Sequence, residues 1–223
     1  MHYLCRMEKK RIVIDIVSDL ACPWCYIGKA RLERALALEP DKYELEVNWK
    51  PFQLYPELPE EGSGFAEFMQ DRHGSSQQAE EMCLQASESA KKEELDFRFD
   101  LIKRMPNTLE AHRLMLLANR EDLQNALSEA LFESYFTKGK DLSCKQTLAE
   151  IAKETGISEA LISKFLNSDE GLEEVQYEEL QYREAGIETV PSFIINNQFL
   201  IQGAQDPETF LQALEEVPAE GTI

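Results

Sequence analysis

Three features of the sequence predict an α/β fold, a mixed sheet interrupted by a large helical insertion. A β-branched run, Ile12-Val13-Ile14-Asp15-Ile16-Val17, leads into Cys22-Pro23-Trp24-Cys25 and on into a helix-periodic segment from Tyr26 to Leu38. From Gly64 to Gly186 the pattern is helical, with no strand interrupting it and no repeat period. Strand signals then return at Thr189-Val190-Pro191-Ser192-Phe193-Ile194-Ile195, turn at Asn196-Asn197, and run back over Gln198 to Gln202.

In the first strand, Arg11 to Ser18, residues Ile12, Ile14 and Ile16 share one face, and Val13, Asp15 and Val17 share the other. Pro23 suits the first helical position, where its missing N–H costs nothing. Glu44 to Lys50 alternates apolar and polar residues, as a half-buried strand does. Prolines 51 and 56 end that strand, and Phe52, Leu54 and Tyr55 between them either line an apolar groove or cover the core. Residues 57–63 read as a linker.

The helical stretch divides at its caps. Phe65 to Asp71 is short, and Ser75 to Lys92 is polar. Asn107 and Glu110 form a capping-box pattern for the next helix. Leu123 to Lys138 stops at Gly139, and a helix bearing Leu148, Ile151 and Ala152 stops at Gly156. Ser158 and Ser168 can cap two more, the second running to Ala185. Asp206 and Pro207 open the last helix, with Phe210, Leu211 and Leu214 as its buried stripe. The domain reading is a tail at 1–10, a sheet domain from 11–57 and 186–223, and a helical insertion at 58–185.

Composition bounds the partners. The 223 residues suffice for one domain with an insertion, and 43% apolar residues can build its core. A formal net charge of −19, from 42 acidic and 23 basic side chains, repels nucleic acid phosphate and anionic lipid, so neither is an expected partner. No apolar run precedes Glu8-Lys9-Lys10-Arg11, so a secretory signal is not expected, and no stretch reaches the length of a membrane span. A cytoplasmic location is the expectation. In that reducing setting five cysteines, an odd number, do not read as a disulfide framework.

The chemistry centres on Cys22 and Cys25. Cys22 falls where a helix leaves backbone N–H groups unpaired and its dipole is positive, a setting that favours thiolate. Cys25, one turn later, is shielded and placed to attack a mixed disulfide on Cys22. A zinc site needs four ligands, yet Cys5, Cys83 and Cys144 stand alone with no histidine at ligand spacing, so no metal is expected. Asp15 is a candidate to take the Cys25 proton or is simply a strand-edge carboxylate. Asp19 reads as loop or cap chemistry. Val190-Pro191, a proline opening a good strand, has a ready explanation in a cis peptide at a turn. His112 and Arg113 are candidates to meet an acidic substrate or form the polar face of a capped helix.

Longer strings carry a resemblance. These are Ser18-Asp19 through Cys22-Pro23-Trp24-Cys25-Tyr26-Ile27-Gly28-Lys29, Asn107-Thr108 to Ala111-His112-Arg113-Leu114, Gly186 to Val190-Pro191-Ser192-Phe193, and Ile201-Gln202-Gly203-Ala204-Gln205. Together they resemble the FrnE-type dithiol oxidoreductases of the DsbA-like branch of the thioredoxin superfamily, relatives of 2-hydroxychromene-2-carboxylate isomerase and kappa-class glutathione transferase. The resemblance covers nearly the whole chain from Arg11. It implies a thioredoxin-like mixed sheet with a helical insertion, a nucleophile at Cys22, a resolving cysteine at Cys25 and a cis-proline at Pro191 packed against the pair. It implies that the Val190 backbone pairs with an extended substrate, with Trp24, Phe52 and His112 as further substrate contacts. Trp24 stands where many DsbA motifs carry histidine, which implies a milder oxidant. Cys83 and Cys144 are candidates for an accessory pair.

The function implied is a thiol–disulfide oxidoreductase or disulfide isomerase acting on polypeptide or low-molecular-weight disulfides. It needs no tightly bound cofactor, and glutathione is a candidate reductant. The alternative is a glutathione-dependent isomerase or transferase for a small aromatic compound. Those relatives typically carry serine at the first cysteine position, so the Cys22–Cys25 pair favours redox chemistry. A binding module without catalysis would not need both cysteines.

Overall fold

β1 (Lys10–Ser18) carries the sheet, because strands lie on both sides of it. In the computed structural model, which describes residues 9–218, β2 (Tyr43–Pro51) runs parallel to it and β5 (Ser192–Ile195) antiparallel. β6 (Phe199–Gln202) pairs with β5, giving the order β2-β1-β5-β6. A parallel partner requires a crossover, and α1 (Pro23–Leu38) supplies it between β1 and β2.

The alternation in β1 decides the layers. Ile12, Ile14 and Ile16 are buried in the main core together with Ile27 and Leu32 of α1. Phe193 meets Phe210 of α9 (Pro207–Glu216) edge to face at 4.8 Å and joins the same core. On the other face Val17 clusters with Phe52 and Ile187. This is the mixed sheet that the strand signals predict.

Between β2 and β5 lie α2 (Phe65–His73), α3 (Ser76–Lys91), α4 (Leu109–Arg120), α5 (Gln124–Phe136), α6 (Lys145–Glu154), α7 (Glu159–Leu166) and α8 (Leu172–Glu184). An aromatic stack ties them to α1. Tyr26 stacks on Phe132 at 5.0 Å, and Phe97 stacks on Phe136 at 4.8 Å. Aromatic pairs at such distances add to the burial of the rings themselves. Among the described residues no helix is long and apolar enough to cross a membrane.

Three local expectations are corrected. β3 (Ser63–Gly64) and β4 (Arg104–Met105) pair antiparallel inside the helical stretch, where no strand was expected; two residues are too few to show a period. α8 starts at Leu172 behind Gly171, at φ 80°, and not behind Ser168. The Ser168 hydroxyl instead donates to the Phe165 carbonyl and accepts from the Glu170 N–H, so it shapes the preceding turn. The Asn107 side chain does accept from the Leu109 N–H at 3.0 Å, but Glu110 pairs with Arg113 and closes no capping box. The expectations for Cys5 and most of the 1–10 tail fall outside the described residues.

Candidate dithiol site

The site begins where β1 ends. Asp19 is buried, and its carboxylate accepts from the Ala21 N–H at 3.2 Å and the Leu54 N–H at 2.6 Å. It thereby fixes the loop before α1 to the segment after β2. The Asp19 carbonyl accepts from the Cys22 N–H at 3.1 Å. Cys22 is the N-cap residue of α1, at φ −92° and ψ 115°, with Pro23 at the first helical position. Its sulfur therefore sits beside the end of the helix whose N–H groups lack helical partners.

The other wall comes from the far end of the chain. The Cys22 thiol donates to the Val190 carbonyl at 4.0 Å, a long sulfur contact. The Val190–Pro191 peptide is cis, as its place before the strand suggested. Gly28 makes room for Pro191. A Cβ there would lie 2.9 Å from the proline Cγ and 3.1 Å from the tip of Phe193.

The two thiols differ in setting. Cys25 is 0% exposed. Burial pushes its thiol well up from the ordinary cysteine range and the Cys22 thiol adds to this, while the Ser18 hydroxyl and the Asp19 N–H offset part of the rise. Cys22 instead borders an apolar cavity of about 130 Å³, with Trp24, Leu54, Tyr55, Met69, Phe99, Met105 and Tyr135 in its walls. Burial pushes the Tyr55 and Tyr135 phenols up as well, so both stay neutral beside the sulfur.

Trp24 thus lines the Cys22 cavity, the Val190 carbonyl just ahead of β5 meets the Cys22 thiol, and the Pro191 ring packs on Gly28 of α1. Phe52 does not join them. It is 2% exposed, packed with Val17 and Ile187, and covered by the Arg183 guanidinium at 4.0 Å from its ring. That is core cover and not a substrate groove, because Phe52 falls on the sheet face opposite α1. His112 is also elsewhere. It is 5% exposed, and its Nε2 turns to Asp19 Oδ1 at 3.8 Å; the cavity it lines is a different one. Arg113 is fully engaged by Glu110 and by the carbonyls of Phe165, Ser168 and Glu170, so it is a tie between helices.

Asp15 accepts from the Asn48 amide at 3.0 Å on the face away from α1, which removes it as the acceptor of the Cys25 proton. Cys83 lines the Cys22 cavity from α3, and Cys144 stands exposed at the N-terminus of α6; both are free thiols. The Thr147 N–H and hydroxyl hold the Cys144 thiol below its ordinary range. Among the described residues no three His, Cys, Asp or Glu side chains are grouped to hold a metal. Sequence reading missed Met69, Phe99 and Met105 as cavity walls, since which helix faces turn to Cys22 depends on tertiary packing. The roles of Gly28 and Ser18 had no separate signal beyond their place in the CxxC string.

Comparison with known proteins agrees with this geometry. A family model described as a DSBA-like thioredoxin domain matches residues 13–215. The uncharacterized protein YwbO of Bacillus subtilis strain 168 is 26% identical over 205 residues, covering 91% of this chain and 96% of that protein. The crystal structure of a probable DsbA oxidoreductase of Streptomyces coelicolor, SCO1869, superposes with a TM-score of 0.85 at 30% identity, over 92% of this chain and 89% of that one. The cytosolic disulfide reductase DsbM of Pseudomonas aeruginosa, solved with GSH, shares the fold with a TM-score of 0.64 at 17% identity, over 91% and 97% of the two chains.

Proposed function

The chain belongs to the DSBA-like thioredoxin domain family, and on that premise we propose that it is a thiol–disulfide oxidoreductase or disulfide isomerase with Cys22 as nucleophile and Cys25 as resolving thiol. The observation that carries this reading is the asymmetry of the pair. Cys22 borders a cavity at a helix N-terminus, and Cys25 is sealed behind it. The Cys22 thiolate attacks one sulfur of a substrate disulfide, RS–SR′, forming Cys22–S–S–R and releasing R′S⁻. The Cys25 thiolate then attacks the Cys22 sulfur, closing the Cys22–Cys25 disulfide and releasing RS⁻. The protein is oxidised by two electrons, and the substrate disulfide is reduced by the same two and leaves as two thiols; run backwards, the same steps oxidise a substrate dithiol.

The substrates in this reading are polypeptide or low-molecular-weight disulfides. The Val190 backbone receives the extended chain, Trp24 contacts it, and the apolar cavity takes a neighbouring side chain. The pair is reset by a low-molecular-weight thiol such as glutathione, and the protein works in the cytoplasm. Its charge of −19 disfavours nucleic acid and anionic membranes as partners. The test is Cys25→Ser. It is expected to accumulate a mixed disulfide on Cys22, visible by mass spectrometry of the intact protein and lost on reduction. Release of substrate as fast as in the parent would show that Cys25 does not resolve.

The apolar cavity also supports a second reading, glutathione-dependent isomerisation or transfer on a small aromatic compound. That chemistry needs Cys22 alone, so Cys25→Ser would keep it and the redox activity would fall.

A further inference from the structure

The cavity beside Cys22 adjoins a larger space. Phe65, Met69, Cys83 and Phe99 line both it and a groove of about 1060 Å³ walled by α2, α3 and the 97–103 segment. α2 carries Phe65, Phe68 and Met69, yet none of its residues is fully buried. On α3, Leu84 lines the groove at 58% exposed, and Met82 lines the cavity at 40%. Apolar surface left open beside a reactive sulfur, and rimmed by polar groups, marks a binding surface.

Charge narrows what it can bind. Glu67, Asp71 and Glu80 line the groove, and among the described residues none of their carboxylates has an ion-pair or hydrogen-bond partner. A fourth carboxylate, Asp100, is gripped by Arg98 at 2.7 and 2.9 Å. Lys103, the cation in the lining, donates to the Asp100 carbonyl at 3.2 Å, and Arg72 nearby lies over the Tyr55 ring at 5.5 Å. The Glu80 charge adds to burial in pushing the Cys83 thiol up, so it is felt where groove and cavity meet. Three unneutralised carboxylates therefore surround an apolar floor. The groove is larger than the roughly 300–1,000 Å³ that holds a drug-sized molecule. Met69, Met82 and Met105 in the cavity wall are side chains that adapt to varied shapes. A second copy of this chain, itself at −19, would be repelled.

We propose that the groove receives the part of a polypeptide substrate that flanks its cysteine, and that it selects segments mixing apolar side chains with lysine or arginine. The inference rests on the dithiol reading and adds a substrate class to it. The apolar side chains cover Phe65, Met69 and Leu84, and the cations face Glu67, Asp71 and Glu80. One exposed ion pair is worth up to about fivefold, so two or three together give about tenfold. Exposed charges are screened, so the selection fades with salt.

Peptides whose cysteine is held as a mixed disulfide with 5-thio-2-nitrobenzoate test this. The Cys22 thiolate attacks the peptide sulfur, forming Cys22–S–S–peptide and releasing the coloured nitrothiolate, the better leaving group. Two peptides of one length share their phenylalanines; one carries lysines and the other glutamates. The lysine peptide is expected to react at least about tenfold faster at about 20 mM salt, and within about threefold at about 500 mM. Glu67→Gln, Asp71→Asn and Glu80→Gln together are expected to cut the low-salt ratio below about threefold. Glu121→Gln, Glu150→Gln and Glu154→Gln, which remove the same charge outside both spaces, are expected to keep it. Equal loss in both triple variants would assign the preference to net charge and overturn the proposal, as would a ratio near one in the parent.

Binding is read apart from redox chemistry at Cys83, in a protein whose Cys5, Cys22, Cys25 and Cys144 are serine. The lysine peptide, with serine for its cysteine, is expected to slow maleimide labelling of Cys83 at least about threefold above about twice its dissociation constant. The glutamate peptide, and phenethylamine at the same concentration, are expected not to. No protection, or equal protection by phenethylamine, would overturn the polypeptide assignment. Protection without any nitrothiolate release by the parent would remove the dithiol reading and leave the selectivity of the groove standing.

Discussion

At Gly28 a single methyl group would meet the Pro191 ring at 2.9 Å and the Phe193 ring at 3.1 Å. Neither ring can easily give way. The Pro191 carbonyl accepts from the Gly203 N–H at 2.7 Å, and Phe193 is locked against Phe210. Alanine is the better helix former by about 1 kcal/mol, yet overpacking a full site costs about 1–3 kcal/mol. Gly28→Ala is therefore expected to lower stability by urea unfolding and to slow reaction at Cys22; parent-like stability would mean that α1 and β5 can part at no cost. The thiols should also separate by rate. Brief iodoacetamide treatment near neutral pH is expected to label Cys144 and Cys22 before Cys83 and Cys25, whose thiols burial pushes up. Equal labelling of all four would contradict the settings described for them. The residues legible in sequence, Cys22, Cys25 and Pro191, are those whose chemistry is local. Gly28 was not, because Pro191 and Phe193, which it admits, lie across the fold, and the helical period alone does not say which neighbour a position on a buried face will meet.

The turn between β5 and β6 shows what an element can and cannot announce. Asn196 and Asn197 sit at φ 49° and 53°, the left-handed pair that a two-residue hairpin turn requires, and the sequence signals this directly. Hidden from sequence is a division of labour. The Asn196 side chain accepts from the Val13 N–H at 2.7 Å and donates to the Pro218 carbonyl at 2.9 Å, so it continues the β1–β5 pairing beyond the end of the strand. Among the described residues no side-chain bond of that kind holds Asn197 in place. Asn197→Gly is expected to be neutral or slightly stabilising, since glycine takes this conformation freely. Asn196→Gly keeps the backbone freedom and loses both bonds, for a cost of about 1–3 kcal/mol. Thermal unfolding of the two variants gives the comparison, and equal midpoints would refute it. Long periodic segments, β1, α1, β2 and most of the helices, are likewise plain in the sequence. β3 and β4 are not, because a two-residue ladder is selected by where α2 and the loop before α4 are carried, and α8 starts late because Ser168 is committed to the turn ahead of it.

Across the whole molecule, the groups sealed around the dithiol set a limit on the alkaline side. Cys25 and Tyr135 are held protonated in the fold, each by burial first. In the unfolded chain they lose their protons near pH 8.5 and pH 10. Above those values the unfolded state binds fewer protons than the native one, so stability falls as pH rises, by about 1.4 kcal/mol per pH unit for each group. Below about pH 8 neither contributes. Urea unfolding of the reduced protein is expected to show midpoints falling from pH 9 to pH 11, with Cys25→Ala delaying the onset; a flat profile would mean that these groups titrate in the native state. The chain's order adds a constraint of another kind. Cys22 and Cys25 are made early, and the Val190 carbonyl that meets the Cys22 thiol and the Pro191 ring that packs on Gly28 come roughly 165 residues later. At about 5–20 residues per second, that gap is on the order of ten to thirty seconds of synthesis. Throughout it a nascent chain presents the Cys22 thiol at a helix end with one wall of its site still unmade, and selectivity at the sulfur arrives only as β5 docks.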